Sequence, residues 1–132
     1  EVLSPDNEPA HWDVIEGQGS LYHPAYAAVT LGLLHGSQPD AIVLCHEPTR
    51  TTIEEYPDYP IPPLGRVIDA YVRAGRLTNH AIRCIGISIN SSELSETDWQ
   101  GYRVGLEREL GLPVVDPMRS GVATVAEALT KL

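Results

Sequence analysis

Two runs of branched apolar residues constrain this chain more than any other feature: Ala41-Ile-Val-Leu-Cys-His46 and Ile82-Arg-Cys-Ile-Gly-Ile-Ser-Ile89. Each is shorter than an ordinary helix and lacks the alternation of a strand with one wet face. Such runs predict strands covered on both sides, the signature of a parallel sheet sandwiched by helices. Between them, Leu64, Val67, Ile68, Tyr71 and Val72 fall at spacings of three and four. That periodicity predicts an amphipathic helix from about Leu64 to Ala74, closed by Gly75.

The rest of the chain repeats the alternation. Trp12 to Ile15 reads as a first short strand ended by Gly17 and Gly19. Pro24 then opens a helix whose apolar residues lie on most sides, which predicts a mostly buried helix stopped within Gly36 to Asp40. Ser95 with Asp98 three residues on predicts a helix N-cap, and Gly111 its end. Leu112 to Val115 reads as a fourth strand, and Val122 to Leu132 as a last helix. Glu47 to Pro63, rich in proline, reads as one long loop of the kind that is usually functional or mobile. The expectation is an irregular lead-in over residues 1–11, then a three-layer α/β/α domain with a mostly parallel sheet over residues 12–132.

Composition narrows the function. The 132 residues fit one domain, and 18 acidic against 9 basic side chains give a net charge of -9. That balance argues against a grip on nucleic-acid phosphates or an anionic membrane. No apolar run approaches the roughly 18 residues of a membrane-spanning helix. Cys45 and Cys84 lie inside predicted strands with no Cys-x-x-Cys spacing, and no secretory pattern opens the chain, so a reducing, cytoplasmic setting is expected. The first residue is Glu rather than Met, which reads as a piece of something longer or a processed product.

In an open parallel sheet, ligands bind beyond the carboxyl ends of the strands. Here those ends are Glu16-Gly-Gln-Gly-Ser, His46-Glu-Pro-Thr-Arg50, Asn90-Ser-Ser and Asp116-Pro-Met-Arg119, all polar. Glu16 is a candidate general base or metal-bound carboxylate, and Gly17, Gln18 and Gly19 would let a ligand come close. A solvated turn carboxylate is the plain alternative. His46, Glu47 and Arg50 can form an acid, base and anion-binding set. His23, before Pro24, can aim its imidazole and the N–H groups of a helix start at an anion. Both histidines read as readily as structural residues satisfied by backbone. No nucleophile elbow surrounds a serine, and Cys45 and His46 point to opposite faces of a strand, which disfavours a shared zinc. Nor is there a Gly-x-x-x-x-Gly-Lys-Ser/Thr loop, so this stretch alone cannot hold a triphosphate in the usual way.

Glu16-Gly-Gln-Gly-Ser-Leu, His23-Pro-Ala-Tyr, the span Val29 to Ser37, and Cys45-His-Glu-Pro-Thr-Arg50 together resemble one family over about Trp12 to Leu129. It is the carboxyl-terminal P-loop domain of proteins that include D-glutamate N-acetyltransferases of the DgcN type, first catalogued as a domain of unknown function and often labelled NAD-dependent epimerase or dehydratase. The resemblance implies a P-loop NTPase-like topology similar to dethiobiotin synthetase, with a Rossmann-like domain and the Walker A loop missing from this stretch. It implies that Glu16-Gly-Gln-Gly is the Walker B region, with Glu16 a candidate Mg2+ ligand, and that Asn90 is a base-reading asparagine. The implied activity is acetyl transfer from acetyl-CoA to D-glutamate, with Glu16 or His46 accepting the ammonium proton and Arg50 or Arg119 holding a carboxylate. Without the missing part the isolated chain is expected to be inactive. Two rival readings are an ATP- and Mg2+-dependent ligase or kinase-like enzyme, and a non-catalytic module for ligand sensing or homo-oligomerisation.

Overall fold

A computed structural model describes residues 8, 11–17 and 20–132. In chain order the elements are α1 (Ala27–Ser37), β1 (Ala41–His46), β2 (Thr52–Ile53), β3 (Tyr56–Pro60), α2 (Leu64–Gly75), β4 (Arg83–Ile89), α3 (Glu96–Leu110), β5 (Val114–Val115) and α4 (Ala123–Leu129). β4 is the middle of the main sheet, pairing in parallel with β1 on one side and β5 on the other. Both of its faces are covered. Leu64 of α2 and Trp99 and Leu106 of α3 pack on Ile87, Ile89 and Val114. Val125 of α4 packs with Ile85 and Val115. Neighbouring residues of β5 thus serve opposite cores, and the layers are helix, parallel sheet, helix, as the apolar runs predict. Only β4 is covered on both faces, however: β1 lies at the edge of the described sheet, and its Val43 and Cys45 are exposed. Burying a side chain as completely as Ile87, 0% exposed, contributes roughly 1.5–3 kcal/mol.

One register shift shapes the centre of the sheet. Ile42 pairs with Cys84 but Val43 with Gly86, which leaves Ile85 as an extra residue in β4. A bulge turns two successive residues the same way. Accordingly Ile85 packs with Val125, and a Cβ on Gly86 would lie 2.7 Å from Cγ2 of the same valine. Glycine lets α4 sit against the strand there.

The helix signals have mixed outcomes. Ser95 Oγ accepts a hydrogen bond from the Asp98 N–H at 3.2 Å, and Gly111 closes α3 at φ 66°, as the sequence predicts. α2 buries Leu64 and Val67, but the residue after Gly75 is right-handed. Gly75 is needed for packing instead, because a Cβ would collide with Ile82 Cδ1. α1 differs from expectation, beginning at Ala27 and burying only Thr30 and Leu34. It packs mainly along α2, so Val29 is left 62% exposed.

Two further expectations need correction. Trp12 to Ile15 is irregular and exposed rather than a strand; Val14 is 94% exposed. An apolar run becomes a strand only beside a neighbour that completes its ladder, and none does so among the described residues. The stretch Glu47 to Pro63 is not one loop, because β2 and β3 form an antiparallel hairpin, pairing Thr52 with Pro60 and Ile53 with Tyr56. Its turn places Glu55 at φ 64°, where glycine or asparagine would announce a hairpin. The last strand, β5, is two residues long and α4 ends at Leu129. Among the described residues no helix is long and apolar enough to cross a membrane.

Candidate functional site

A parallel sheet brings the carboxyl ends of its strands to one edge. β1 ends at His46, Asn90 follows β4 and Asp116 follows β5. A cavity of about 920 Å³ opens there, between the sheet edge and the segment from Ser20 to Tyr26 that leads into α1. That volume lies within the roughly 300–1,000 Å³ of ordinary small-molecule sites. Two long-range bonds tie the segment to α2: Leu21 N–H donates to Tyr71 Oη at 3.3 Å, and Tyr22 Oη donates to the Arg66 carbonyl at 3.4 Å.

His46 lines the cavity and lies near-parallel to Tyr102, ring centres 6.4 Å apart. Its carbonyl accepts the Asn90 N–H at 2.9 Å, which joins the ends of β1 and β4. Burial holds the imidazole below its ordinary value; the Glu47 charge opposes this and Arg50 reinforces it. Half-burial thus favours the neutral form of this imidazole, and a neutral imidazole can accept a proton. Glu47 and Arg50 also line the cavity. The Arg50 guanidinium donates to Glu47 at 3.1 Å and to Glu54 at 3.2 Å, so this cation is shared between two carboxylates.

Asn90 faces the same space, its Oδ1 accepting the Ser92 N–H at 3.2 Å. His23 also lines the cavity, from the segment that leads into α1. Its Nδ1 accepts from the N–H groups of Ala25 and Tyr26 at 3.1 and 3.2 Å, and its ring meets Tyr26 and Tyr56 at centre distances of 4.7 and 5.2 Å. The N–H groups expected to meet an anion are therefore taken by the histidine itself.

Arg119 is placed differently from the sequence expectation. It donates to Glu96 and to the Ser91 and Leu94 carbonyls, at 3.0, 3.1 and 2.8 Å, and does not line the cavity. It clamps the turn after β4 to the turn after β5 instead of presenting a free guanidinium. Beside it is the residue that sequence reasoning passed over, Asp116, 4% exposed. Its carboxylate accepts from Ser91 Oγ and N–H and from the Met118 and Arg119 N–H groups. Burial alone would raise the pKa of Asp116, but these bonds hold it below the ordinary carboxylate value. The only sequence signal was a carboxylate right after a predicted strand.

Glu16 is exposed and is not among the residues lining this cavity. Its charge, after burial, helps push the Cys45 thiol up. Gly17 packs near Leu33, and Gln18 and Gly19 lie outside the described residues. Among the described residues, no three His, Cys, Asp or Glu side chains converge on a metal position.

A three-layer parallel sheet with its cavity at the carboxyl edge is the architecture of the nucleotide-binding α/β class. Within that class, residues 1–126 match the family described as a domain of unknown function, the DUF1611 carboxyl-terminal P-loop domain. The chain belongs to this family, the one its Glu16 and Cys45 motifs resemble. It is 46% identical over 129 residues to a D-glutamate N-acetyltransferase of Tritonibacter scottomollicae and to another of a Pseudoalteromonas species. Each match covers 98% of this chain and 39% of the relative, so the chain spans about two fifths of their length. The crystal structure of a DUF1611 family protein from Anabaena variabilis aligns with a TM-score of 0.82 at 35% identity, covering 89% of this chain and 34% of that one.

Proposed function

We propose that this chain forms the acceptor-side cavity of an enzyme that transfers an acetyl group from acetyl-CoA to the amine of D-glutamate. The observation that carries the reading is the 46% identity, across 98% of the chain, to proteins named for that reaction. The cavity supplies chemistry that fits. His46 is a neutral imidazole on its wall, a base suited to an ammonium substrate near neutral pH. Arg50 is the carboxylate-holding residue in this reading, exchanging one of its two glutamates for the substrate.

The reaction balances as follows. The α-ammonium gives one proton to His46, and the freed amine attacks the thioester carbonyl carbon. A C–N bond forms, the nitrogen releases a second proton to solvent, and the tetrahedral adduct collapses as the C–S bond breaks. The departing thiolate takes the proton from His46, leaving N-acetyl-D-glutamate and CoA.

The described residues fit a triphosphate with Mg2+ poorly. The one lysine, Lys131, and Glu16 are both absent from the cavity lining, and among the described residues no three His, Cys, Asp or Glu side chains converge on a metal position. We assign the phosphate-holding loop and the leading domain to the additional length of the relatives, which is why the full-length protein is the one to assay. Incubated with D-glutamate and acetyl-CoA, it should form N-acetyl-D-glutamate with one free CoA thiol per product. His46→Gln should lower kcat about 100-fold or more, the ordinary contribution of a general base. Absence of product with the unaltered protein overturns the reading.

A further inference from the structure

His23 is held in one orientation by contacts that leave only one of its polar atoms uncommitted. Its Nδ1 takes two backbone N–H groups, Ala25 and Tyr26, while its carbonyl accepts the Ala27 N–H at 3.0 Å. The histidine therefore caps the turn that leads into α1, in the way an aspartate or asparagine oxygen would. The edge of Tyr56, at an interplanar angle of 75°, and the tilted ring of Tyr26 fix the imidazole plane. Nδ1 can accept from two N–H groups only through its lone pair, so the ring proton must sit on Nε2. Nε2 has no protein partner among the described residues, and the residue lines the same cavity as His46.

We infer that His23 is locked as the Nε2–H tautomer and donates a neutral hydrogen bond to an acceptor oxygen of the bound reactants. The inference rests on the acetyl-transfer reading for the identity of that oxygen, which belongs either to the carboxylate of D-glutamate or to the thioester carbonyl. It also divides labour between the two cavity histidines. His46 receives protons, whereas His23 cannot act as a base through Nε2, because that nitrogen already carries its proton.

The two nitrogens can be separated by mutation. Asparagine reproduces the Nδ1 position, so His23→Asn keeps the cap and removes the donor. Glutamine reaches the Nε2 position, so His23→Gln keeps a donor and loses the cap. In the full-length protein, His23→Asn should retain the melting temperature and lose about tenfold in kcat/KM, the scale of one hydrogen bond. His23→Gln should melt lower and keep most of its turnover. A tenfold rise in KM for D-glutamate assigns the oxygen to the carboxylate, and a fall in kcat at constant KM assigns it to the thioester. Unchanged kinetics in His23→Asn overturn the donor role.

The tautomer is tested without any reactant by long-range 1H–15N correlation spectra of the histidine rings at pH 7.5. The expected pattern is protonated Nε2 and bare Nδ1 for His23, and a proton on Nδ1 overturns the inference. If the unaltered protein makes no N-acetyl-D-glutamate, the acetyl-transfer reading fails while the spectrum still decides the tautomer.

Discussion

At His46 burial and charge compete for one proton. Desolvation disfavours the imidazolium, Arg50 adds to that, and Glu47 alone works the other way. Burial wins because the glutamate is itself engaged by Arg50 at 3.1 Å. At Asp116 the outcome has the opposite cause: four donors outweigh the burial penalty. Its folded pKa lies below the ordinary carboxylate value of 3.8. The stability it contributes is therefore complete above that value and lost as pH falls through the lower folded one. Asp116→Asn replaces one of the two acceptor oxygens by an NH2 donor, which then faces either the Ser91 N–H on the Oδ2 side or the Met118 and Arg119 N–H groups on the Oδ1 side. It should cost about 2 kcal/mol in urea unfolding at pH 7, and the penalty should shrink below pH 3.8. His46 and Asn90 were legible as the polar residues that end apolar runs. Asp116 was visible only as a strand-end carboxylate, because its partner Ser91 is 25 positions away and sequence spacing carries no record of that meeting.

Elements were legible where one local rule agreed with the packing. β1, β4, α2 and α3 follow from continuous runs, a three-and-four stripe and a cap. The hairpin of β2 and β3 was hidden because Glu55 adopts a left-handed turn with no glycine to announce it. α1 was misjudged because apolar residues all round predict burial, but burial depends on what lies alongside. Gly86 is a position where α4 comes close to β4. Its alanine variant has to push Val125 Cγ2 from 2.7 Å and sits 3.3 Å from the Pro113 carbonyl. Alanine has the better intrinsic propensity, yet overpacking of about 1–3 kcal/mol outweighs it. Gly86→Ala should therefore lower the unfolding midpoint in denaturant, with α4 amides exchanging faster than those of α3. Equal protection of the two helices would contradict that placement.

At the scale of the whole molecule, three strand ends from distant parts of the chain make one cavity, and the names of two relatives suggest the reaction we propose for it. The chain accounts for 39% of the length of its curated relatives, so the test belongs with the full-length protein. The central claim is that neutral His46 takes the ammonium proton, and the pH dependence of kcat/KM for D-glutamate tests it most directly. With an imidazole held below 6.5, the acid limb should have its midpoint below that value. In His46→Gln that midpoint should vanish, the residual turnover instead climbing about tenfold per pH unit through neutrality with the fraction of free amine. An acid limb of the same midpoint in both proteins would contradict the account.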